Sequence, residues 1–250
     1  MKAKIFFTIM VISAFTIKAN AQLAKNLSVG LDAGAYVYQG DLVPAGFGAL
    51  NSSSLGISLY AQKPFSNYLS VRLQFAAARL QANESKYNTP AYRQQRNFSF
   101  TTPLKEISGL LVWNIAGSNY TNFGIQPYIF TGIGVSFINT TADSSRINRD
   151  YFKNSNIDTL LAADKAHGTP GSLPVIPLGI GVDIPISERL ALNAEANYRF
   201  AFTDYIDGFS RSANPNLDDH YYSLSVGLKY RFTGGGSSGK GAVDCPKYLY

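Results

Sequence analysis

The chain has 250 residues, enough for one or two domains, and combines 46% apolar and 13% aromatic residues with only 15% charged ones. A formal net charge of +6, with no basic patch beside a readout helix, gives no basis for binding nucleic acid. Beyond the N-terminal segment no stretch is apolar for long enough to cross a membrane as a helix, so the abundant Gly, Tyr and Phe are expected in strands.

Residues 1–21 carry Lys2 and Lys4, an apolar run over 5–17, and Ala19-Asn20-Ala21. This pattern predicts a secretory signal cleaved after Ala21. The run is short for a membrane helix, and no cysteine follows the cleavage point, which argues against a lipidated N-terminus. Losing Lys2, Lys4 and Lys18 leaves 19 basic against 16 acidic side chains, a net charge of +3. An exported protein is expected, with a barrel over 22–232 and a tail over 233–250.

Alternation begins at residues 26–38, where Leu27, Val29, Leu31, Ala33, Ala35 and Val37 oppose Ser28, Gly30, Asp32, Gly34, Tyr36 and Tyr38. Residues 54–62 and 68–78 repeat the pattern around a tight turn and predict a hairpin that places Arg72 on the polar side. The fourth strand falls within 98–115, where Pro103 is expected to demote the first half and the parity to slip near Glu106. Residues 123–137, 175–186, 190–202 and 221–232 complete the set. Their polar parity carries Asp183, then Glu195 and Arg199, then Lys229 and Arg231. The last strand has Tyr222, Leu224, Val226, Leu228, Tyr230 and Phe232 on one face, with aromatics near both membrane interfaces.

Eight strands are joined alternately by short turns (near 63–67, 116–122 and 187–189) and long loops. This predicts an all-β fold, an eight-stranded antiparallel transmembrane (outer-membrane) β-barrel with a flexible periplasmic C-terminal tail. Short turns and both termini are expected in the periplasm. A soluble lipocalin-like barrel would bury its apolar face, yet the polar face here has too few charges to serve as a solvent coat. An eight-stranded interior is just filled by side chains, so Asp32, Arg72, Asp183, Glu195, Arg199, Lys229 and Arg231 are expected to form an internal charge network rather than line a pore.

Catalysis has little footing. His167 and His220 lie in or beside the long loops, and His220 follows Asp218 and Asp219, with Asp204, Asp207 and Ser210 upstream. A rim-located hydrolase is one reading and a solvated loop end the plainer one. Nothing calls for a metal, a cofactor or a small-molecule substrate. The loop over 139–172 suits an adhesive surface or a partner lid. Residues 234–241 form a Gly/Ser linker, and the chain from Phe232 to Cys245 spans about 20 Å as a coil and at most about 45 Å extended. Cys245 is the single cysteine. It either forms an intermolecular link within a docking segment that includes Pro246, Tyr248 and Tyr250, or is a free thiol.

Tyr38-Gln39-Gly40-Asp41-Leu42, Glu195 with Asn197-Tyr198-Arg199, Phe202-Thr203-Asp204-Tyr205-Ile206-Asp207, and residues 216–232 with Asp218 and Tyr222 together resemble the PorG-like outer-membrane barrels of Bacteroidetes. The resemblance covers nearly all of the mature chain. It implies a non-enzymatic component of the type IX secretion (and possibly gliding) machinery, with a periplasmic ring lipoprotein and its ring partner as partners besides the outer-membrane lipids. It also implies that Cys245 is the linking residue of the tail. The alternative is a surface adhesin or rim hydrolase acting through the long loops.

Overall fold

Period-two alternation in a sheet that closes on itself sorts side chains into one set inside and one outside, and this sorting decides the architecture. The computed structural model describes residues 26–44, 48–121, 124–215 and 218–232. Its strands are β1 (Ser28–Gln39), β2 (Ser54–Pro64), β3 (Leu69–Asn83), β4 (Ser99–Asn114), β5 (Gln126–Ile138), β6 (Thr141–Asp143), β7 (Ser172–Pro185), β8 (Leu190–Ala201) and β9 (His220–Arg231). Two helices, α1 (Tyr92–Arg96) and α2 (Ile157–His167), lie in the long connections.

All pairings are antiparallel. The chain pairs in order through β5, then β5 with β7, β7 with β8 and β8 with β9, and β9 closes on β1 from Ser28↔Arg231 to Gln39↔His220. Eight strands therefore form a closed barrel with no free edge. The ninth, β6, is a three-residue addition to β4 that the alternation did not indicate. Short turns at 65–68, 115–125 and 186–189 occupy one end, and the four long connections the other. The second turn is longer than expected because β5 starts only at Gln126.

The outer wall is apolar on every barrel strand, with Leu55 78% and Ile133 75% exposed. In water such a surface would cost about 25 cal/mol per Å², whereas hydrocarbon solvates it. Exposed Phe65, Tyr68, Trp113, Tyr120 and Phe232 ring the short-turn end, and Phe137, Phe200 and Phe202 the other. This is a transmembrane barrel of the outer-membrane type, with aromatic girdles at both interfaces.

Strand β4 corrects the sequence expectation. It is regular from Ser99 to Asn114, with no slip at Glu106, which is buried inside opposite Ala76. Pro103 is accommodated because its carbonyl accepts from Asn139 N, so its missing N–H also points toward β5 and β6. The ladder on that side breaks there, between Leu104↔Ile138 and Thr101↔Thr141.

The lumen is filled by pairing glycines with rings. The Gly30 position abuts the Tyr60 ring, Gly56 abuts Tyr36, Gly179 abuts Phe130 and Gly181 abuts Tyr128, each with no room for a Cβ. At the turn end Gly117, at φ +65, lies against the Tyr68 ring in a conformation that favours glycine. Gly30→Val should destabilise the barrel by about 1–3 kcal/mol through overpacking. Unheated electrophoresis after a temperature ramp should show its compact form lost at lower temperature than wild type. Gly109→Ala, whose Cβ would meet nothing within 4 Å, should match wild type.

Candidate functional site

The interior holds the chemistry of this molecule. Burying a guanidinium inside a barrel is tolerable only if every face of it is matched. Arg72 is matched on all sides: its Nη1 pairs with Glu195, while its Nε and Nη2 donate to Gln62 Oε1 at 3.0 and 2.9 Å. The Tyr60 ring lies 4.2 Å from its guanidinium carbon. From Glu195 the network crosses the lumen. Tyr128 donates to Glu195 Oε1 at 2.6 Å, and Asn193 Nδ2 donates to Tyr128 at 2.5 Å and to Asp183 Oδ1 at 2.8 Å. Lys229 Nζ then donates to Asp183 Oδ2 at 2.7 Å. Asp32 is buried beside this chain, and neither of its oxygens meets a protein donor among the described residues.

A second cluster lies nearer the long loops. Arg199 Nε meets Glu106 Oε2 at 3.2 Å, Tyr221 donates to the same oxygen at 2.9 Å, and Arg199 Nη1 donates to Ser223 Oγ at 2.5 Å. Of the seven predicted network residues, Arg72, Asp183, Glu195 and Lys229 form the first cluster and Arg199 the second. Arg231 lies at the turn end of the first cluster: it lines the same small cavity as Asp183 and Lys229, and its Nη1 donates to Thr121 O at 2.7 Å. Glu106 was missed because Pro103 was given too much weight; uninterrupted alternation over β4 would have placed it inside.

The long loops pack over the mouth, and their chemistry explains the motif residues. Leu42, Phe98, Ile206 and Phe209 are buried, and Phe98 stacks on Phe209 with centroids 4.3 Å apart. Glu84 is clasped by Arg96, at 2.9 Å from Nε and 2.5 Å from Nη2, and by Arg93 Nη1 at 3.2 Å. Arg93 Nη1 also donates to Asp41 O at 2.8 Å, and Arg96 Nη1 to Ser212 O at 3.1 Å. From α2, Asp164 accepts from Ser212 N and Arg211 N, both at 3.0 Å. All four long connections are thus tied together.

At their centre the Tyr38 hydroxyl lies 2.7 Å from Asp207 Oδ2 and 2.6 Å from Asp219 Oδ1. It has one hydrogen for two carboxyls, so one of them must carry its own proton. Asp219 Oδ2 accepts from Ile206 N and Asp207 N, Asp207 Oδ1 from Phe209 N, and Asp41 Oδ2 from Asn214 N. Gly40 is required because a Cβ there would strike both the Asp219 carboxyl and the Tyr38 ring. Among the predicted motif residues, Gly40, Asp41, Leu42 and Asp207 therefore gather at the cap. Thr203 O receives Asp219 N at 2.9 Å, and Tyr205 stacks on His167. Asp204 is half-buried beside Ser210, whose hydroxyl partly offsets the cost of burying its carboxyl.

Burial pushes Asp41 up to about 6 and Asp204 up to about 7, and holds Asp207 and Asp219 well above the usual carboxylate range. Asp219 points into the cap, whereas the ring of His220 lies against Tyr198 and Phe200, so the two do not form an acid–base pair. No group of three or more His, Cys, Asp or Glu among the described residues is arranged to hold a metal. Cys245, Pro246, Tyr248 and Tyr250 lie outside the described residues.

A family model described as "Domain of unknown function (DUF6089)" matches residues 3–234. The chain belongs to the DUF6089 family. No curated protein matches it. Among solved structures, the DUF6089 barrel is similar to Ail, the attachment invasion locus protein of Yersinia pestis. Identity is 14%, over 82% of this chain and 97% of that one, with a TM-score of 0.44. Neisserial surface protein A is 12% identical over 83% and 98% of the two chains, with a TM-score of 0.48. The outer membrane protein OprG of Pseudomonas aeruginosa is 13% identical over 82% and 95%, with a TM-score of 0.44.

In the DUF6089 chain Asp41, Asp204, Asp207 and Asp219 have folded pKa values raised above their unfolded value of about 3.9. The folded state then binds more protons, so this contribution to stability is full below about pH 4 and is lost as pH rises through the folded values, about 6 for Asp41 and 7 for Asp204. Hydrogen exchange of amides in 202–215, corrected for the intrinsic pH dependence, should show weaker protection at pH 8 than at pH 5. Asp207→Asn should reduce that difference.

Proposed function

We propose that this DUF6089 barrel is a non-enzymatic, non-conducting outer-membrane anchor. In this reading it belongs to the type IX protein secretion (and gliding) machinery and holds a periplasmic lipoprotein ring and its partner to the outer membrane. Contact is made through the periplasmic turns and the C-terminal tail. The observation that supports it most is the double closure of the barrel: a hydrogen-bonded ion-pair network across the lumen and a packed cap over the mouth. Among the described residues the charge network fills the lumen and the loops pack over the mouth, so this reading assigns function to the wall and the short-turn end.

That end is suited to docking. Asn119 N donates to Asn67 O at 3.1 Å and Asn119 Nδ2 to Ser66 O at 2.9 Å, so two turns form one platform. Asn26 N donates to Phe232 O and Phe232 N to Leu27 O, at 2.9 and 2.7 Å, and Arg231 Nη1 donates to Thr121 O, so Phe232 lies at the end of the barrel that carries the platform. Short turns facing the periplasm and long loops facing outward is the usual sense of such barrels, and it puts both termini in the periplasm. The motifs around Gly40-Asp41-Leu42 and Thr203-Asp204-Tyr205, with Asp207, support the PorG-like assignment. A tail tethered at the rim raises the local concentration of its docking segment, which strengthens a weak contact.

In planar bilayers the purified protein should give no stable conductance step. From native membranes, non-reducing electrophoresis and mass spectrometry should show a higher-mass band containing a periplasmic protein, lost with reductant and in Cys245→Ser. Removing 234–250 should release that partner and impair secretion. A free thiol with no periplasmic protein co-purifying would overturn the reading.

A further inference from the structure

The wall changes chemistry in a fixed order along one face. On β3 the outward residues run Val71, Leu73, Phe75 and Ala77, then Arg79, Gln81 and Asn83; on β4 they run Trp113, Leu111, Gly109 and Ile107, then Lys105, Pro103, Thr101 and Ser99. The register Ala77↔Lys105 and Arg79↔Pro103 makes Arg79 and Lys105 diagonal neighbours, about 7–8 Å apart at their side-chain roots. Both are exposed, and neither has an acid or a hydrogen-bond partner among the described residues. Two adjacent like charges repel unless an anion lies between them. From Leu69 to Arg79 the strand rises roughly 34 Å, or roughly 26 Å along the membrane normal at a tilt near 40°, which brings the cations to the edge of an apolar band about 25 Å tall.

Beyond the cations, on the same face, is a groove of about 350 Å³. Gln81, Ser99, Thr101 and Thr141 line it with side chains that make no hydrogen bond within the protein among the described residues, and Lys86 and Asp143 line it with charge. Asp143 is already engaged by Ser145 N at 2.8 Å and Arg146 at 3.6 Å. The short strand β6, which the barrel itself does not need, supplies one wall of the groove.

Hydrocarbon, then paired cations, then unspent hydroxyls and amides is the order of groups in a lipid whose acyl chains carry a phosphorylated sugar. We propose that this face binds a phosphorylated glycolipid of the outer leaflet. Its acyl chains lie along Phe75, Ala77 and Ile107, its phosphate between Arg79 and Lys105, and its saccharide in the groove over β3, β4 and β6. The assignment rests on the orientation proposed above, with the long loops outside. Surface biotinylation of a cysteine placed at Lys86 in intact cells tests that orientation separately, and the ring partner plays no part in the lipid test.

The test uses full-length protein in phosphatidylcholine nanodiscs, with bisphosphorylated lipid A, dephosphorylated lipid A or phosphatidylglycerol as probe, read by native mass spectrometry. Wild type should retain bisphosphorylated lipid A in preference to the other two. Arg79→Ala with Lys105→Ala should lower that retention by about tenfold or more, since charge-assisted contacts are lost. Gln81→Ala with Thr101→Val should narrow the preference for lipid A over phosphatidylglycerol. These side chains are exposed or half-buried on the wall, and an unchanged compact band on unheated electrophoresis verifies that each variant folds. Equal retention of all three probes by wild type, or unchanged retention by the Arg79/Lys105 variant, would overturn the proposal.

Discussion

The barrel depends on how its buried guanidiniums are matched, Arg72 above all. In a sheet of eight strands the lumen is only as wide as the side chains that fill it, so a charge placed there has no water to fall back on. Arg72 satisfies that constraint with a carboxylate from β8, an amide from β2 and the face of Tyr60, and the Tyr60 ring in turn occupies the space over Gly30. Removing one partner of a buried pair leaves the other unmatched, at a cost of about 3–5 kcal/mol. Glu195, Tyr128, Asn193, Asp183 and Lys229 therefore hold as a unit. Their value is specificity of register as much as stability, because a one-residue slip of any strand would turn its charge into lipid.

The cap obeys a different rule. Its loops are long, and long loops ordinarily remain solvated. Here they order because each contributes something another lacks: Glu84 offers two oxygens to two arginines, Asp164 accepts backbone N–H groups of the last loop, and Asp219 does the same for Ile206 and Asp207. A carboxylate that accepts backbone N–H groups substitutes for the ladder a loop does not have. The hydrophobic layer of Leu42, Phe98, Ile206 and Phe209 then excludes water, and that exclusion raises the pKa of Asp207 and of Asp219.

What was legible in the sequence was whatever depends on period two. The eight barrel strands, the outward apolar set and the inward placement of Arg72, Asp183, Glu195 and Lys229 follow from parity alone. Pro103 misled because the cost of a proline depends on whether the adjacent strand offers a carbonyl that its missing N–H would have bonded, which is set by where β5 ends and β6 begins. The pairing of Arg199 with Glu106 joins residues 93 apart in the chain, and that of Tyr38 with Asp219 joins residues 181 apart. Contacts of that kind are fixed by closure and leave no local pattern. Parity placed Arg231 on the inner face, but its bond to Thr121 O was not legible, since parity gives the face of a strand and not the depth of a residue along the axis.

Closure also changes what the motifs mean. Tyr38, Gly40 and Asp41 end the first strand, and Asp204, Asp207 and Asp219 precede the last, so the acidic cluster sits on the seam where β1 meets β9. At the opposite end of that seam, Asn26, Leu27 and Phe232 exchange backbone bonds. A seam is the one strand pairing whose partners are separated by the whole barrel sequence, so its loop-closure entropy is the largest in the fold. Interactions at both of its ends offset that cost. The motif residues are thereby accounted for by the need to hold the ring shut. Side chains left unspent lie instead on the outward face of β3 and β4 above Ala77 and Ile107, where Arg79, Lys105, Gln81 and Thr101 have no hydrogen-bond partner among the described residues.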